Sequence, residues 1–109
     1  AARRDALRAH LARNLADPTL SPRGAADALG ISVRLVHRLF EEMGTSFGRW
    51  VLERRLDACR RALDGPAPRA ISDIAFAWGF NELSHFSRAF KARFGVAPRD
   101  FRARARRGA

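Results

Sequence analysis

The sequence predicts an all-α chain, a series of short amphipathic helices arranged in two similar halves around one longer helix. Three observations predict it. Apolar residues recur at spacings of three and four along most of the chain, the period of a helix face. Proline and glycine fall where those stripes stop, at Pro18, Gly30, Gly44, Gly79 and Gly95, and only Gly65-Pro66-Ala67-Pro68 forms a longer interior breaker. Finally, Val36-His37-Arg38-Leu39-Phe40 is followed 50 positions on (36 to 86) by Phe86-Ser87-Arg88-Ala89-Phe90, each an apolar-polar-Arg-apolar-Phe string. At 109 residues and 47% hydrophobic content, the chain can build one compact domain or two very small ones.

Each element follows from local chemistry. Leu7, Leu11 and Leu15 form one stripe of a helix over about Arg3 to Ala16, ended by Asp17-Pro18. Ser21 is a cap with Pro22 at the first helical position, opening a short segment to Leu29 that Gly30 closes. Ser32 caps a third helix with Val36, Leu39, Phe40 and Met43 inward and Arg34, His37, Arg38 and Glu41 outward; Gly44 ends it. Ser46 starts the longest helix, to about Asp64, with Leu52, Leu56, Cys59 and Leu63 on its stripe and Arg54, Arg55, Arg60 and Arg61 on a solvated face. After the linker, Ile71 to Trp78 repeats the short helix, and Asn81 caps a further one with Leu83, Phe86, Phe90 and Phe94 inward. Pro98 begins a last helix to about Arg104; the basic tail, Arg102 to Arg107, is expected to fray, and either adds nonspecific phosphate affinity or is idle. Both tryptophans and all eight phenylalanines lie on helical stripes and are expected in the core, with His85 a partly buried packing residue and His10 an exposed one.

Charge narrows the function. The chain carries 21 Lys plus Arg against 11 Asp plus Glu, a formal net charge of +10, and every basic residue except Lys91 is arginine. A field of that size calls for a polyanionic partner, and the planar guanidinium suits bidentate contact with phosphate or guanine edges. The single cysteine, Cys59, excludes an intrachain disulfide and a cysteine metal cluster, and reads as a small buried hydrophobe in a reduced compartment. No apolar run approaches the roughly 20 residues of a membrane span, and the first residues lack a signal-peptide core. Scattered histidines, no carboxylate pair beside a histidine and no glycine-rich phosphate loop exclude catalysis.

A short helix, a glycine turn and a second helix with a polar outer face is the form of a helix-turn-helix, whose second helix enters the DNA major groove. The sequence holds it twice. A joining helix of about 18 residues spans roughly 27 Å, against about 34 Å between successive major-groove segments on one DNA face. The two second helices are therefore expected to enter successive major-groove segments of an asymmetric site about two turns long. Three other readings compete. A basic helical module binding nucleic acid nonspecifically or an acidic protein shares these features; a membrane-surface helix would show one broad basic face; single-strand binding would need exposed aromatic platforms.

The run from Ile74-Ala75 through Gly79-Phe80, then Ser84-His85-Phe86-Ser87-Arg88-Ala89-Phe90-Lys91 and Phe94-Gly95-Val96-Ala97-Pro98, resembles the signature of the AraC/XylS family of bacterial transcription regulators, in its C-terminal DNA-binding domain. Ala26 to Leu29 with Gly30, Arg38-Leu39-Phe40, and Trp50 followed by Arg55-Leu56 are similar to its first half. The resemblance implies seven helices in two helix-turn-helix subdomains, 1–45 and 65–109, joined by a linker helix over 46–64. It implies base contacts by Arg34, His37 and Arg38 on the first recognition helix and by Leu83, Ser84, Ser87 and Arg88 on the second, where Leu83 either meets a thymine methyl or continues the core stripe. Ser21, Ser46 and Asn81 at turns, with Arg54 and Lys91, are the phosphate candidates. No cofactor or metal is expected. Double-stranded DNA is the partner, RNA polymerase a further one, and the setting cytoplasmic. Because the chain begins Ala1-Ala2 without methionine, a fragment is expected, with the effector bound by a domain absent from it.

Overall fold

The computed structural model describes residues 2–66 and 69–108, so Ala67 and Pro68 of the linker lie outside the described residues. Seven helices and no strand occur among them: α1 (Ala2–Arg13), α2 (Pro22–Leu29), α3 (Val33–Glu42), α4 (Phe47–Leu63), α5 (Ile71–Ala77), α6 (Leu83–Phe94) and α7 (Pro98–Gly108). The chain divides into two compact units, Ala1–Arg54 and Arg55–Ala109, and the division falls within α4.

In the first unit, Leu7 and Leu11 of α1 and Leu15 beyond it are buried with Ala25 and Ala26 of α2, Val36, Leu39 and Phe40 of α3, and Phe47 and Val51 of α4. Phe40 sits at the centre, its ring edge-on to Phe47 at 5.9 Å and tilted to Trp50 at 6.1 Å. The first helix stops at Arg13, three residues short of the expected end. The Asn14 side-chain amide donates to the carbonyl of His10 at 2.8 Å, supplying one of the donors that the last turn of a helix lacks.

In the second unit, Leu56, Ala58, Cys59 and Leu63 of α4 are buried with Ile74, Ala75, Phe80, Phe86 and Phe90. Aromatic rings make a continuous chain: Phe80 to Phe86 at 5.1 Å, Phe86 to Phe90 at 5.7 Å, and Phe90 to both Phe94 at 4.6 Å and Phe101 at 5.7 Å. Such edge-to-face and tilted pairs suit the ring quadrupole. Burial pushes the Cys59 thiol up to about 12, against a smaller opposing effect of Arg55, so it remains neutral in the core.

Three expectations about packing are corrected. Phe76 is 50% exposed and does not join the core. On the α5 helix it follows Ile74 and Ala75 by one or two positions, which at 100° per residue turns it out of the buried face. His85 is exposed too, with its ring edge-on to Phe80 at 5.9 Å. The basic tail does not fray at Arg104: α7 continues to Gly108, held by Pro98 and Phe101 on its inner side and by arginines in its last turn, where positive charge complements the helix dipole.

Candidate nucleic-acid interface

In the first unit, the start of α2 and the turn that leads from it into α3 are set by Ser21, Gly30 and Ser32. Ser21 Oγ accepts the amide hydrogen of Gly24 at 3.0 Å, starting α2. At the other end Gly30 takes φ +66°, and the Ile31 amide donates back to the Ala26 carbonyl at 3.0 Å, closing the helix. Ser32 Oγ then accepts from the Leu35 amide at 3.0 Å and starts α3. With Val36, Leu39 and Phe40 held in the core, the opposite stripe of α3 is fixed in space. Arg34, His37, Arg38 and Glu41 are all exposed along it, and with Val33 they line an open depression of about 580 Å³. The three arginine and histidine side chains on this face can donate to phosphate oxygens and to the acceptors of base edges, while the Glu41 carboxylate can only accept, as from a cytosine amino group.

The second unit repeats the turn with one change. The Phe80 amide donates to the Ala75 carbonyl at 3.1 Å, as Ile31 does to Ala26, and Gly79 occupies the place of Gly30 with φ +97°. Gly79, however, lies 49 positions after Gly30 (30 to 79), whereas the recognition helices are 50 apart. The second turn therefore holds one residue more, and Asn81 is not the cap: Glu82 is, with no side-chain hydrogen bond to the helix. Asn81 lies two positions after Gly79, as Ser32 does after Gly30, and the extra residue moves the cap one position further on. Gly79 is buried, and a Cβ there would fall 2.9 Å from Cζ and Nε of Arg55, so the linker-helix guanidinium packs directly on this turn.

On α6, Phe86 and Phe90 are buried while Ser84, Arg88 and Lys91 are exposed and Ser87 is half-buried. Leu83 is 40% exposed, so at the first turn the apolar stripe has left the core and Leu83 stands with the outer residues. The structure thus brings Arg34, His37 and Arg38 together on α3, and Leu83, Ser84, Ser87, Arg88 and Lys91 along the outer side of α6. Ser21 and Ser46 are engaged as caps, Ser46 Oγ accepting from the Arg49 amide at 3.2 Å.

The linker arginines are not a uniform solvated face. Arg54 is half-buried, 5.2 Å from the Trp50 ring centre and 3.9 Å from a Glu53 oxygen. Arg60 lies over the rings of Phe94 and Phe101 at 5.2 and 5.8 Å. Asp57 receives both Nε and Nη2 of Arg93 at 3.0 and 3.2 Å, a fork that joins α4 to α6. The Arg60 stack and the Asp57 fork have no local sequence signal, because each joins residues far apart in the chain. No helix of the described residues is long and apolar enough to cross a membrane, and no three His, Cys, Asp or Glu side chains among them converge to hold a metal ion.

Two glycine turns, each presenting a helix with a polar outer face, define a double helix-turn-helix protein. Comparison with known proteins agrees. The model of the family described as "Helix-turn-helix domain" matches residues 25–104. The transcriptional activator RhrA of Rhizobium meliloti (strain 1021) is 41% identical over 92 residues, which cover 83% of this chain and 29% of RhrA. The transcriptional activator NphR of a Rhodococcus species is 38% identical over 86 residues, 79% of this chain and 25% of that protein. Among solved structures, a transcriptional regulator with an AraC-type DNA-binding domain from Chromobacterium violaceum superposes with a TM-score of 0.83 at 32% identity, covering 91% of this chain and 88% of that one. A DNA-binding transcriptional dual regulator from Escherichia coli K-12 shares the fold, with a TM-score of 0.86 at 20% identity over 95% and 92% of the two chains. The chain belongs to the AraC/XylS family of helix-turn-helix DNA-binding domains, a family of transcription regulators. It spans less than a third of the length of the curated relatives it matches.

Proposed function

We propose that this chain binds a specific double-stranded DNA sequence to regulate transcription, with α3 and α6 as recognition helices in successive major-groove segments of an asymmetric site. The observation that carries the reading is the α3 face, where Arg34, His37 and Arg38 stand exposed together on a helix capped at Ser32 and anchored by Val36 and Phe40. Arginine paired with the O6 and N7 of guanine is the commonest specific contact in the major groove. In this reading Arg34, His37 and Arg38 face base edges from the first subdomain, and Leu83, Ser84, Ser87 and Arg88 from the second, Leu83 against a thymine methyl. Ser21, Ser46, Arg54, Asn81 and Lys91 take the flanking phosphates. The subdomains are 1–45 and 65–109, with 46–64 as the linker helix.

The relatives are named as transcriptional activators, and we extend that role here: RNA polymerase is the protein partner, an effector acts through a region outside these residues, and the setting is the cytoplasm. Binding selection from a randomised duplex library, in about 0.15 M salt with random competitor to suppress nonspecific attraction, tests the reading. The expected result is one asymmetric motif with two boxes about one helical turn apart. Salt-sensitive binding to every duplex without enrichment would reduce the chain to a basic helical module.

A further inference from the structure

We infer that α7 is a separate DNA-contact surface, in which Arg99, Arg104, Arg106 and Arg107 hold the phosphate backbone of duplex flanking the sequence read by the recognition helices. The inference rests on the DNA-binding reading above and adds a surface to it. On α7, Pro98 is buried and Phe101, Arg102 and Ala105 are partly covered, whereas Arg99, Arg104, Arg106 and Arg107 are all exposed. At about 100° per residue those four occupy the outer half of the helix. The sole acidic residue of α7 is Asp100, and among the described residues none of the four guanidinium groups has a carboxylate partner.

Helix-dipole complementarity accounts for Arg106 and Arg107 in the last turn but not for Arg99 in the first, where positive charge opposes the dipole. Like charges also lie at helical neighbour spacing, Arg102 with Arg106 and Arg104 with Arg107, which works against the helix. Burial lowers the pKa of Arg102, and the nearby Arg106 guanidinium lowers it further by like-charge repulsion. A polyanion lying along the outer face would relieve that repulsion. The surface continues beyond α7, because Arg60 stacks over the Phe101 ring and lies exposed beside it. Arginine forks, not lysine, make up the patch, the geometry that holds phosphate bidentately.

The test measures affinity of the full chain for its selected site and for a random duplex across a salt series, for the unsubstituted protein and for the combined variant Arg99→Gln, Arg104→Gln, Arg106→Gln, Arg107→Gln. Circular dichroism checks that helicity is kept, and the matching four-lysine variant restores the charge should the glutamine protein lose structure. Each phosphate that no longer meets an arginine takes about 0.9 from the slope of log affinity against log salt, so the glutamine variant should be shallower by up to about 3.6. The affinity gap to the unsubstituted protein then narrows about twelvefold for each doubling of salt, equally on both duplexes, with the selected motif unchanged and the lysine variant close to the original. An unchanged slope in a protein that still selects its motif overturns the role of α7 and leaves the recognition helices standing. A changed motif overturns it as well, since α7 would then be reading bases. Absence of duplex binding by the unsubstituted chain overturns both readings.

Discussion

Replacing Gly79 by alanine should destabilise the protein by about 3 kcal/mol, whereas the same change at Gly30 should cost about 1 kcal/mol. Both glycines close the first helix of a helix-turn-helix, and both have positive φ, +97° at Gly79 and +66° at Gly30. An alanine at +66° sits in the left-handed well, at a strain of about 1–2 kcal/mol that restriction of the unfolded chain partly offsets. At +97° it lies outside that well, toward the upper end of the 1–3 kcal/mol range for strained backbone. Space separates the two sites further. Nothing lies within 4 Å of a Cβ at Gly30, while at Gly79 the Arg55 guanidinium stands 2.9 Å away and must leave its half-buried place, for about another 1 kcal/mol. Urea unfolding followed by circular dichroism measures each variant, and the difference of about 2 kcal/mol corresponds to roughly 8–16 °C in melting temperature for a domain of this size. Adding Arg55→Ala to Gly79→Ala completes a double-mutant cycle with an expected coupling of about 1 kcal/mol. Equal losses at the two glycines, or zero coupling to Arg55, would refute the reasoning.

Three further outcomes follow from the geometry. Arg38→Ala and Arg88→Ala should each weaken binding to the selected site by about 1–3 kcal/mol without lowering stability; equal losses on random duplex would make them phosphate contacts. Ser32→Ala removes the hydroxyl that accepts from Leu35 and should cost about 1 kcal/mol of stability in the same urea titration, with Ser32→Asp retaining most of it. Cys59 has a folded-state pKa of about 12 against an ordinary 9.0, so its contribution is fully present below pH 9 and is lost as pH rises toward 12. At pH 10.5 the loss should reach about 2 kcal/mol. The chain has no tyrosine and a single lysine, so few other groups titrate there, and Cys59→Ala should flatten the pH dependence even though it lowers stability overall.

Much of the fold is legible because local rules decide it. Ser21, Gly30 and Ser32 each do what their type does at a helix end, and the Val36, Leu39 and Phe40 spacing alone orients the outer face of α3. The second half is harder for a physical reason. Its turn has an extra residue after Gly79, and its cap, Glu82, makes no side-chain bond, so no residue type marks where α6 begins. Leu83 and Phe76 are apolar, yet their exposure depends on where the core ends in three dimensions, which periodicity along one helix does not encode. The Asp57–Arg93 fork, the Arg60 stack and the packing of Arg55 on Gly79 arise only once distant helices meet.

The extra residue between Gly79 and α6 also shows which parts of a duplicated motif are free to change length. Inserted ahead of a cap, a residue is absorbed by the connector, and the side-chain rows of the following helix keep their phase. Inserted within α6, the same residue would turn every later side chain by about 100°, exchanging Arg88 for a neighbour of different chemistry on the outer row and tearing Phe90 from the aromatic chain. The two turns accordingly differ by one position in the connector, with glycines 49 apart (30 to 79), while Phe40 and Phe90 keep the 50-position beat of their helices (40 to 90). Length in such a repeat is thus counted from the cap onward, and the connector serves as its slack.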